Sequence, residues 1–533
     1  MAIKYELLAI MDYLNSVNEA VNLSDIMKNT SSLGLKKRAY NNLLRSLQEC
    51  NRVTMMGMAS VSTYIIREPI RAYQRYRSVF VYKGGILCGI LINTDTQYVF
   101  IYDNAYIIRE LEAIPSLDIT IEVIKSDSLH PIFDENLPEG INEEIMDLKI
   151  KSGDIFDKLL SLKKNIGDLF FSKSNKEVSF SEHDEKASYL SHKEEILGKN
   201  IFPEILDHTL DISQDILYPE GIDLTKFSHV ETQGISGFQY KKIVTIDEKK
   251  HSIVLSEGVD TLTQYILKPY SPIKTHPDSN FYLPHLAINE HLIMTFAKNE
   301  LGFDVPRSCL IKEAGASEYH YLVKRFDRYG KKRFSKANFS SYLGLTRETK
   351  YRTTSEEMFT RISKEIISPK ERMKLLKYYF YSILIVHEDM HTKNLSLITS
   401  PKSIVLSPLY DIACTGIYQF CKKHETAIPL NSKKNNIRPN DFKALAKTLG
   451  IDFRLVKDEF KEIIKIYLEV FPKYIQLLEK HFPNEFVYKI KVVPRMGEAT
   501  YINSNDKETL ANVFTKQYKL RCDTLKKFGW LDI

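Results

Sequence analysis

The sequence predicts an α+β protein made of several structural units. Its 533 residues exceed what one hydrophobic core normally organises, so three or more units are expected. Residues 78 to 108 show strand-like apolar runs separated by short polar or glycine turns, whereas the chain from Arg372 onward repeats apolar residues at helical spacing. We therefore expect a β-rich module in the first part of the chain and a mostly helical C-terminal part.

The composition is that of a globular protein. Apolar residues make up 43% and charged residues 27%, with only 21 glycines and 19 prolines, which excludes collagen-like and wholly disordered chains. Lys4, Glu6 and Asp12 interrupt the segment where a signal peptide would be apolar, and no run of about 18 apolar residues follows. The sequence thus predicts a cytoplasmic protein without a membrane partner.

The cysteines predict neither a disulfide framework nor a zinc ribbon. They form no CxxC pair and show no dense spacing, which favours free thiols in a reducing compartment. The six positions are Cys50, Cys88, Cys309, Cys414, Cys421 and Cys522. The net charge of +6 is too small for this length to indicate a nucleic-acid partner, so only local clusters can do so.

Residues 1–70 have the element order of a winged helix-turn-helix domain. Two short helical patterns precede a third from about Leu35 to Cys50, and two strand-like runs follow around residues 57–60. Basic side chains near the third helix would meet the phosphates of duplex DNA; these are Lys36, Lys37, Arg38 and Arg45. The alternative is a small docking domain whose basic face is merely solvated.

Changes in composition along the chain indicate the next domain boundaries. Residues 71–171 read as the β-rich module, with a Gly84-Gly85 turn between two apolar runs. Residues 172–224 begin with a polar, charged stretch that favours a linker or mobile segment. Residues 225–330 contain further strand-like runs, and residues 331–533 form the helical part.

One short motif favours a zinc hydrolase. HEDMH contains His387 and His391 at the spacing that places two imidazoles one helical turn apart, with Glu388 as general base. Asp411 is a plausible third ligand. However, the chain continues as HTKNLSLITS, which alternates like a strand, so the required helix is not expected to persist.

The same segment also carries the groups needed for phosphoryl transfer. Asp389 would accept the proton of an attacking hydroxyl, and Lys393 would neutralise phosphate charge. Asn394 and Asp411 supply the oxygen ligands that Mg²⁺ prefers. These are the parts of a kinase catalytic loop and metal-binding loop.

Upstream segments supply further parts of such a site. GISGFQYK, which begins at Gly234, is a small-residue turn whose backbone N–H groups could approach phosphate. Lys268 lies in an apolar run and Glu290 in a helical pattern, which suits a phosphate-binding lysine held by a glutamate. The strand-like run 321–328 offers a backbone edge for adenine.

The order of these segments resembles the HipA-type serine/threonine kinases, which are toxins of bacterial toxin–antitoxin modules. The motifs are HPIFDENLPEG, GISGFQYK, YILKPY, LAINEHLIMTFAKNELGFDVP, VKRFDR, Lys350-Tyr351, EDMHTKNLSLI and LSPLYDI. The resemblance covers residues 78 to 450. It implies a two-lobed protein-kinase-like fold, with the N-lobe in 225–330 and the C-lobe in 331–533. It also implies ATP and Mg²⁺ as cofactors, phosphorylation of a translation-related protein, and an antitoxin partner.

The resemblance also implies residue roles. Asp389 matches the catalytic aspartate, with His391 and Lys393 as further catalytic-loop contacts, and Asn394 and Asp411 match the metal-binding pair. The residues matched to ATP binding are Gly234, Ile235, Ser236, Gly237, Phe238, Gln239, Tyr240, Lys241, Lys268, Lys324, Arg325, Phe326 and Tyr410. An alternative for His391 is that it only orients the loop by hydrogen bonding.

The chain departs from the family pattern at two places. Family members often have a serine subject to autophosphorylation where this chain has Gly234, so Ser236 becomes the candidate for such control. Many relatives also lack a helical domain ahead of the β-rich module, and its presence here suggests DNA binding within the same chain. A DNA-binding regulator with weak catalysis remains the alternative.

Overall fold

The computed structural model describes most of the chain, with gaps concentrated between residues 176 and 281. The described ranges are 5–17, 19–49, 52–57, 62–67, 69–109, 112–162, 164–175, 189–206, 209–210, 233–234, 239–247, 252–255, 264–271, 282–312, 318–330, 332–400, 403–419, 421, 424–495 and 498–533. They form two compact units. The first contains residues 1–134, 154–161 and 168–183, and the second contains residues 135–153, 162–167 and 184–533.

The first unit begins with three helices and a small antiparallel sheet. The helices are Tyr5–Val17, Leu23–Asn29 and Lys37–Glu49, with a 3-10 turn at Ser31–Leu33. The sheet has the strand order Val21–Asn22, Thr63–Ile66, Val53–Met56. Ile10, Leu14 and Leu44 are buried in one core between these elements. The predicted third helix is therefore present, but it begins two residues later, at Lys37. The predicted turn at 57–60 lies largely outside the described residues.

A five-stranded antiparallel sheet follows in the first unit. Its order is Ile124–Ser126, Tyr98–Tyr102, Ile86–Asn93, Arg77–Lys83, Leu169–Ser172. The unit also contains a 3-10 turn and short helices at Pro69–Tyr73, Asn104–Arg109, Pro131–Asp134 and Ile155–Ser161. The strand-like pattern predicted through Ile108 is wrong after Tyr102, because Asp103 accepts the Tyr106 N–H at 3.0 Å and so starts a helix.

The second unit contains a seven-stranded mixed sheet. Its order is Ile205–Leu206, Ser308–Lys312, Tyr319–Lys324, Gln264–Lys268, Lys242–Asp247, Ser252–Leu255, Thr209–Leu210. The helix Leu286–Asn299 has ten consecutive buried residues and lies against two strands of this sheet. Two further sheets have two strands each. One pairs Lys164–Asn165 with Gln233–Gly234, and the other pairs Arg328–Tyr329 with Lys332–Arg333.

The prediction of a linker over residues 172–224 is wrong for its middle part. Residues Tyr189–Leu197 form a helix, and Tyr189 and Ile196 pack with Phe334 in a buried cluster. Two short strands after this helix join the seven-stranded sheet. Residues 176–188 and 211–224 of the predicted linker lie outside the described residues.

Most of the remaining second unit is helical. Its helices are Ile141–Ile150, Phe339–Leu343, Ser355–Ile362, Pro369–Leu384, Lys443–Thr448, Phe453–His481 and Leu510–Lys527, with 3-10 turns at Thr415–Ile417 and Pro439–Phe442. Phe380 stacks on Phe460 at 4.1 Å between ring centroids, and Trp530 lies 4.9 Å from Phe380. This aromatic core fixes the helix Pro369–Leu384, which leads directly into the HEDMH segment. Within the described ranges, every helix is too short or too polar to cross a membrane.

Two sheets interrupt the helical part. Strands Ser335–Asn338, Ser396–Ser400 and Ser403–Leu406 form one antiparallel sheet. Strands Phe486–Arg495 and Glu498–Thr509 form a long hairpin. The prediction of a helical part over residues 331–533 did not include it. FVYKIKVV carries aromatic and β-branched residues at the start of this hairpin, which favours a strand over a helix.

Candidate functional site

The second unit contains a cavity of about 570 Å³ that collects most of the predicted site residues. Its lining includes Lys241, Lys268, Glu290, Asp389, His391, Lys393, Asn394, Tyr410 and Asp411. These residues come from the seven-stranded sheet, from its packed helix and from the loops around the three-stranded sheet. The fold thus brings together side chains that are as much as 170 positions apart in sequence.

Lys268 is held between two carboxylates. It ends the strand Gln264–Lys268, and its Nζ lies 2.5 Å from Glu290 Oε1 and 2.5 Å from Asp411 Oδ1. Burial alone would lower the pKa of Lys268, but Asp411 and Glu290 outweigh burial and raise it. Burial raises the pKa of Glu290 to about 7, although Lys268 opposes that rise. The ammonium is therefore fixed as a buried cation facing the cavity.

Asp411 lies at a strained turn beyond the strand Ser403–Leu406. Its φ of 60° is in the left-handed region, which a non-glycine residue adopts only when its surroundings hold it there. Lys241 Nζ approaches Asp411 Oδ2 at 3.2 Å, while Lys268 binds Oδ1. Burial would raise the pKa of Asp411, but Lys241 and Lys268 hold it well below its usual range.

Asn394 supplies an oxygen that fits a metal ion. Its amide nitrogen donates to the Asp411 carbonyl at 3.3 Å, which orients the side chain. Its Oδ1 is buried and has no hydrogen-bond partner among the described residues. This buried acceptor and the Asp411 carboxylate line the same cavity, and such oxygens are the ligands that a hard divalent cation such as Mg²⁺ takes.

Asp389 follows a strained turn at the end of the helix Pro369–Leu384. Val386 has a φ of 58°, and its carbonyl accepts hydrogen bonds from the Thr415 hydroxyl at 2.7 Å and the Thr415 N–H at 3.1 Å. Asp389 is exposed, whereas its neighbour Met390 is fully buried. The turn therefore presents the Asp389 carboxylate to the cavity on a loop that is otherwise packed.

The zinc interpretation of HEDMH is wrong in its structural premise. The helix ends at Leu384, so His387 and His391 lie in a loop and do not face one another across a helical turn. Burial lowers the pKa of His391 to about 3, so the imidazole is neutral, and its Nδ1 accepts the Lys393 N–H at 3.3 Å. No cluster of three acidic, histidine or cysteine ligands occurs among the residues that the structure describes.

Glu139 is a site residue that sequence reasoning missed. It forms an ion pair with Nζ of Lys393, and its second oxygen lies 3.3 Å from Nζ of Lys350. Burial would raise the pKa of Glu139, but Lys393 and Lys350 lower it. Glu139 therefore fixes the Lys393 ammonium at the cavity wall, as Glu290 fixes Lys268.

Replacing Glu139 tests this ion-pair cluster. Glu139→Gln is expected to lower the free energy of unfolding by about 3 kcal/mol or more, because two largely buried lysines lose their shared counter-charge. Denaturant unfolding of the full chain measures the change. The matched control is Glu348→Gln, whose side chain is 71% exposed and should change stability by no more than about 0.5 kcal/mol. Equal stability of Glu139→Gln and the parent would contradict the assignment.

Only part of the predicted phosphate loop can be located. Gly234 ends a short strand whose parallel partner is Lys164–Asn165, and Gln239 and Lys241 line the cavity. Tyr240 is buried. Ile235, Ser236, Gly237 and Phe238 lie outside the described residues, so autophosphorylation of Ser236 remains a prediction.

The predicted adenine edge lies at the end of the strand Tyr319–Lys324. Arg325 is bound by the Asp327 carboxylate at 2.6 Å and Lys324 by the Glu195 carbonyl at 2.8 Å, so their side chains are engaged in protein contacts. Phe326 lies 5.4 Å from the Tyr410 ring. Tyr410 in turn donates to the Lys393 carbonyl at 2.7 Å, which connects this aromatic pair to the loop that carries Asp389.

Two family models match this chain. The HipA N-terminal domain matches residues 79–169, and the HipA-like C-terminal domain matches residues 233–473. The second range contains the strand, helix and loop residues that line the cavity, from Lys241 to Asp411. Together the two models account for more than half of the chain.

Curated relatives are similar to part of this chain. A Haemophilus influenzae protein named "Putative kinase" is 30% identical over 34% of this chain and 53% of its own length. "Putative kinase Y4dM" of Sinorhizobium fredii is 27% identical over 34% of this chain and 47% of its own length. The chain thus spans about half the length of the curated relatives it matches.

The structural match shows the fold. HipA in the Shewanella oneidensis complex of HipA, HipB and operator DNA superposes with a TM-score of 0.55 and 16% identity, over 85% of this chain and 99% of the other. The fold predicted from the motif order is therefore confirmed at the level of a HipA-like α+β architecture.

Proposed function

The chain belongs to the HipA family, and on that premise we propose that it is an ATP- and Mg²⁺-dependent kinase that phosphorylates a serine or threonine of a protein. The observation that carries the proposal is the Lys268 ion-pair cluster. It places a buried cation and the Asp411 carboxylate beside Asn394 and Asp389 in one cavity. We expect the acceptor to be a translation-related protein, as the family resemblance implies.

Each residue has a role that its surroundings support. Lys268 and Lys241 would bind phosphate oxygens, because both ammonium groups already face the Asp411 carboxylate in the cavity. Asn394 Oδ1 and Asp411 would hold Mg²⁺, which supplies charge neutralisation of the transferred phosphoryl group when bound. The Asp389 carboxylate would take the proton of the acceptor hydroxyl as the oxygen–phosphorus bond forms and ADP leaves.

Transfer of labelled γ-phosphate tests this proposal. The purified chain is incubated with Mg²⁺ and radiolabelled ATP in a dialysed bacterial lysate, and labelled proteins are mapped by mass spectrometry. We expect phosphoserine or phosphothreonine on a small number of proteins, with no labelling after chelation of the metal. Labelling that persists equally without the chain, or ATP turnover with no protein acceptor, would overturn the proposal.

We further propose that residues 1–70 bind duplex DNA. Lys36, Lys37, Arg38 and Arg45 are exposed at or on the helix Lys37–Glu49, and the described part of the chain records no ion pair for them. Four uncompensated cations near one helix suit phosphate contacts. The matched structure is a complex of HipA with HipB and operator DNA, which supports DNA and an antitoxin as partners.

Charge reversal tests the DNA proposal. Replacing Lys36, Lys37 and Arg38 by Glu should weaken duplex binding and reduce the slope of log K against log salt by about one unit for each lost contact. The control variant carries Glu at Lys461, Lys465 and Lys473, three exposed positions on another helix, so that both proteins have the same net charge. Equal affinity and salt dependence of the two variants would contradict the proposal.

A further inference from the structure

We propose that Tyr351 is a positioning residue for Asp389, an inference that rests on the proposed kinase function. The Tyr351 hydroxyl donates to Asp389 Oδ1 at 2.5 Å. A catalytic carboxylate must present one oxygen to the acceptor hydroxyl in a fixed direction. Within the described ranges, Oδ2 of Asp389 has no hydrogen-bond partner. Tyr351 therefore occupies one carboxylate oxygen and leaves the other for the acceptor.

The phenol is a donor at neutral pH. Burial, and then the Asp389 carboxylate, raise the pKa of Tyr351 well above its usual value. The phenol therefore keeps its proton and donates it in a hydrogen bond to the Asp389 carboxylate. A neutral donor to a carboxylate is a charge-assisted hydrogen bond, the stronger class in proteins.

The segment that carries Tyr351 is held to the catalytic loop by a hydrogen bond, an ion-pair cluster and a ring contact. The Thr392 hydroxyl donates to the Lys350 carbonyl at 2.8 Å, and Lys350 shares the Glu139 carboxylate with Lys393. The Tyr351 ring meets His391 edge-on, with 5.0 Å between centroids and 76° between planes. These contacts with the residues that follow Asp389 hold the phenol in place before any acceptor arrives.

Tyr351 also lies at an exposed part of the cavity lining. The residue is 42% exposed, and Asp389 is the exposed member of its loop. A phenol in this place either orients the base or occupies the position of the acceptor hydroxyl. The unbonded Oδ2 of Asp389 and the hydrogen bond that holds Lys350 to Thr392 favour orientation of the base.

Kinetics of Tyr351→Phe test the proposal. The variant keeps the ring against His391 and loses only the hydroxyl, so kcat is expected to fall about tenfold or more, while KM for ATP stays within about twofold. Tyr351→Leu should lose at least as much. The matched control is Tyr329→Phe, which removes a phenol–carboxylate hydrogen bond to Glu195 away from the cavity and should leave kcat unchanged.

Two other results would overturn the inference. Parent-like kcat in Tyr351→Phe with loss only in Tyr351→Leu would show that the ring packs but the hydroxyl does not position Asp389. A higher kcat in Tyr351→Phe would show that the phenol blocks the acceptor. Thermal melting identifies a variant whose loss comes from unfolding. An inactive parent chain would instead refute the kinase function on which the inference rests.

Discussion

Asp389→Asn is expected to reduce phosphoryl transfer by about 10²–10⁴-fold. Asparagine has the shape of aspartate but cannot accept the proton of the acceptor hydroxyl. The affinity for ATP should change by less than about twofold, because the base acts in the transition state more than in the ground state. Labelled-phosphate transfer measures the first effect, and calorimetric titration with Mg²⁺ and ATP measures the second.

The neighbouring glutamate is the control for Asp389. Glu388 lines the same cavity, but its Oε2 accepts the His424 N–H at 3.1 Å and is already engaged. Glu388→Gln should therefore retain most of the transfer rate. Equal losses in the two variants would show that a general loss of negative charge, and not removal of the base, explains the result.

Lys268→Met is expected to lower the free energy of unfolding by about 3–5 kcal/mol and to abolish ATP binding. The lysine side chain is 4% exposed and pairs with Glu290 and Asp411. Its removal leaves two carboxylates in the cavity wall without that counter-charge. Denaturant unfolding and calorimetric titration measure the two effects.

The stability loss in Lys268→Met should grow as the pH rises above about 7, because below that pH Glu290 is protonated in both the folded parent and the folded variant. The folded-state pKa of Glu290 is already raised to about 7, and loss of Lys268 raises it further. Between the unfolded and folded pKa values the folded state binds more protons, so its stability falls as pH increases. Adding Glu290→Gln should restore much of the stability but none of the ATP binding. A deficit that shrinks with rising pH would contradict the ion-pair account.

Local sequence patterns predicted the parts of the site that single elements position. Lys268 at a strand end and Glu290 on a helix were expected to pair, and their charged atoms lie 2.5 Å apart. Helical periodicity after Arg372 predicted Pro369–Leu384 and Phe453–His481. These successes depend on spacing within one element or on motif order along the chain.

Local sequence patterns did not predict the long-range contacts of the site. Glu139 reaches Lys393 across 254 positions, and Tyr351 reaches Asp389 across 38; both lie in motifs that the sequence analysis singled out, but no local spacing indicates these partners. The zinc interpretation of HEDMH needed a helix, which the strand-like continuation of the sequence argued against; in the structure the helix ends at Leu384, before a positive φ at Val386 that hydrogen bonds from Thr415 maintain. Tertiary hydrogen bonds therefore shape the loop that carries Asp389.

Calorimetric titration of the full chain with ATP, with and without Mg²⁺, tests the central claim most directly. The arrangement of Lys268, Asn394 and Asp411 predicts binding of one nucleotide per chain that strengthens when Mg²⁺ is added, and loss of that binding in Lys268→Met. Absence of ATP binding by the folded parent chain in Mg²⁺, or identical binding by the parent and a folded Lys268→Met/Glu290→Gln variant, would contradict it.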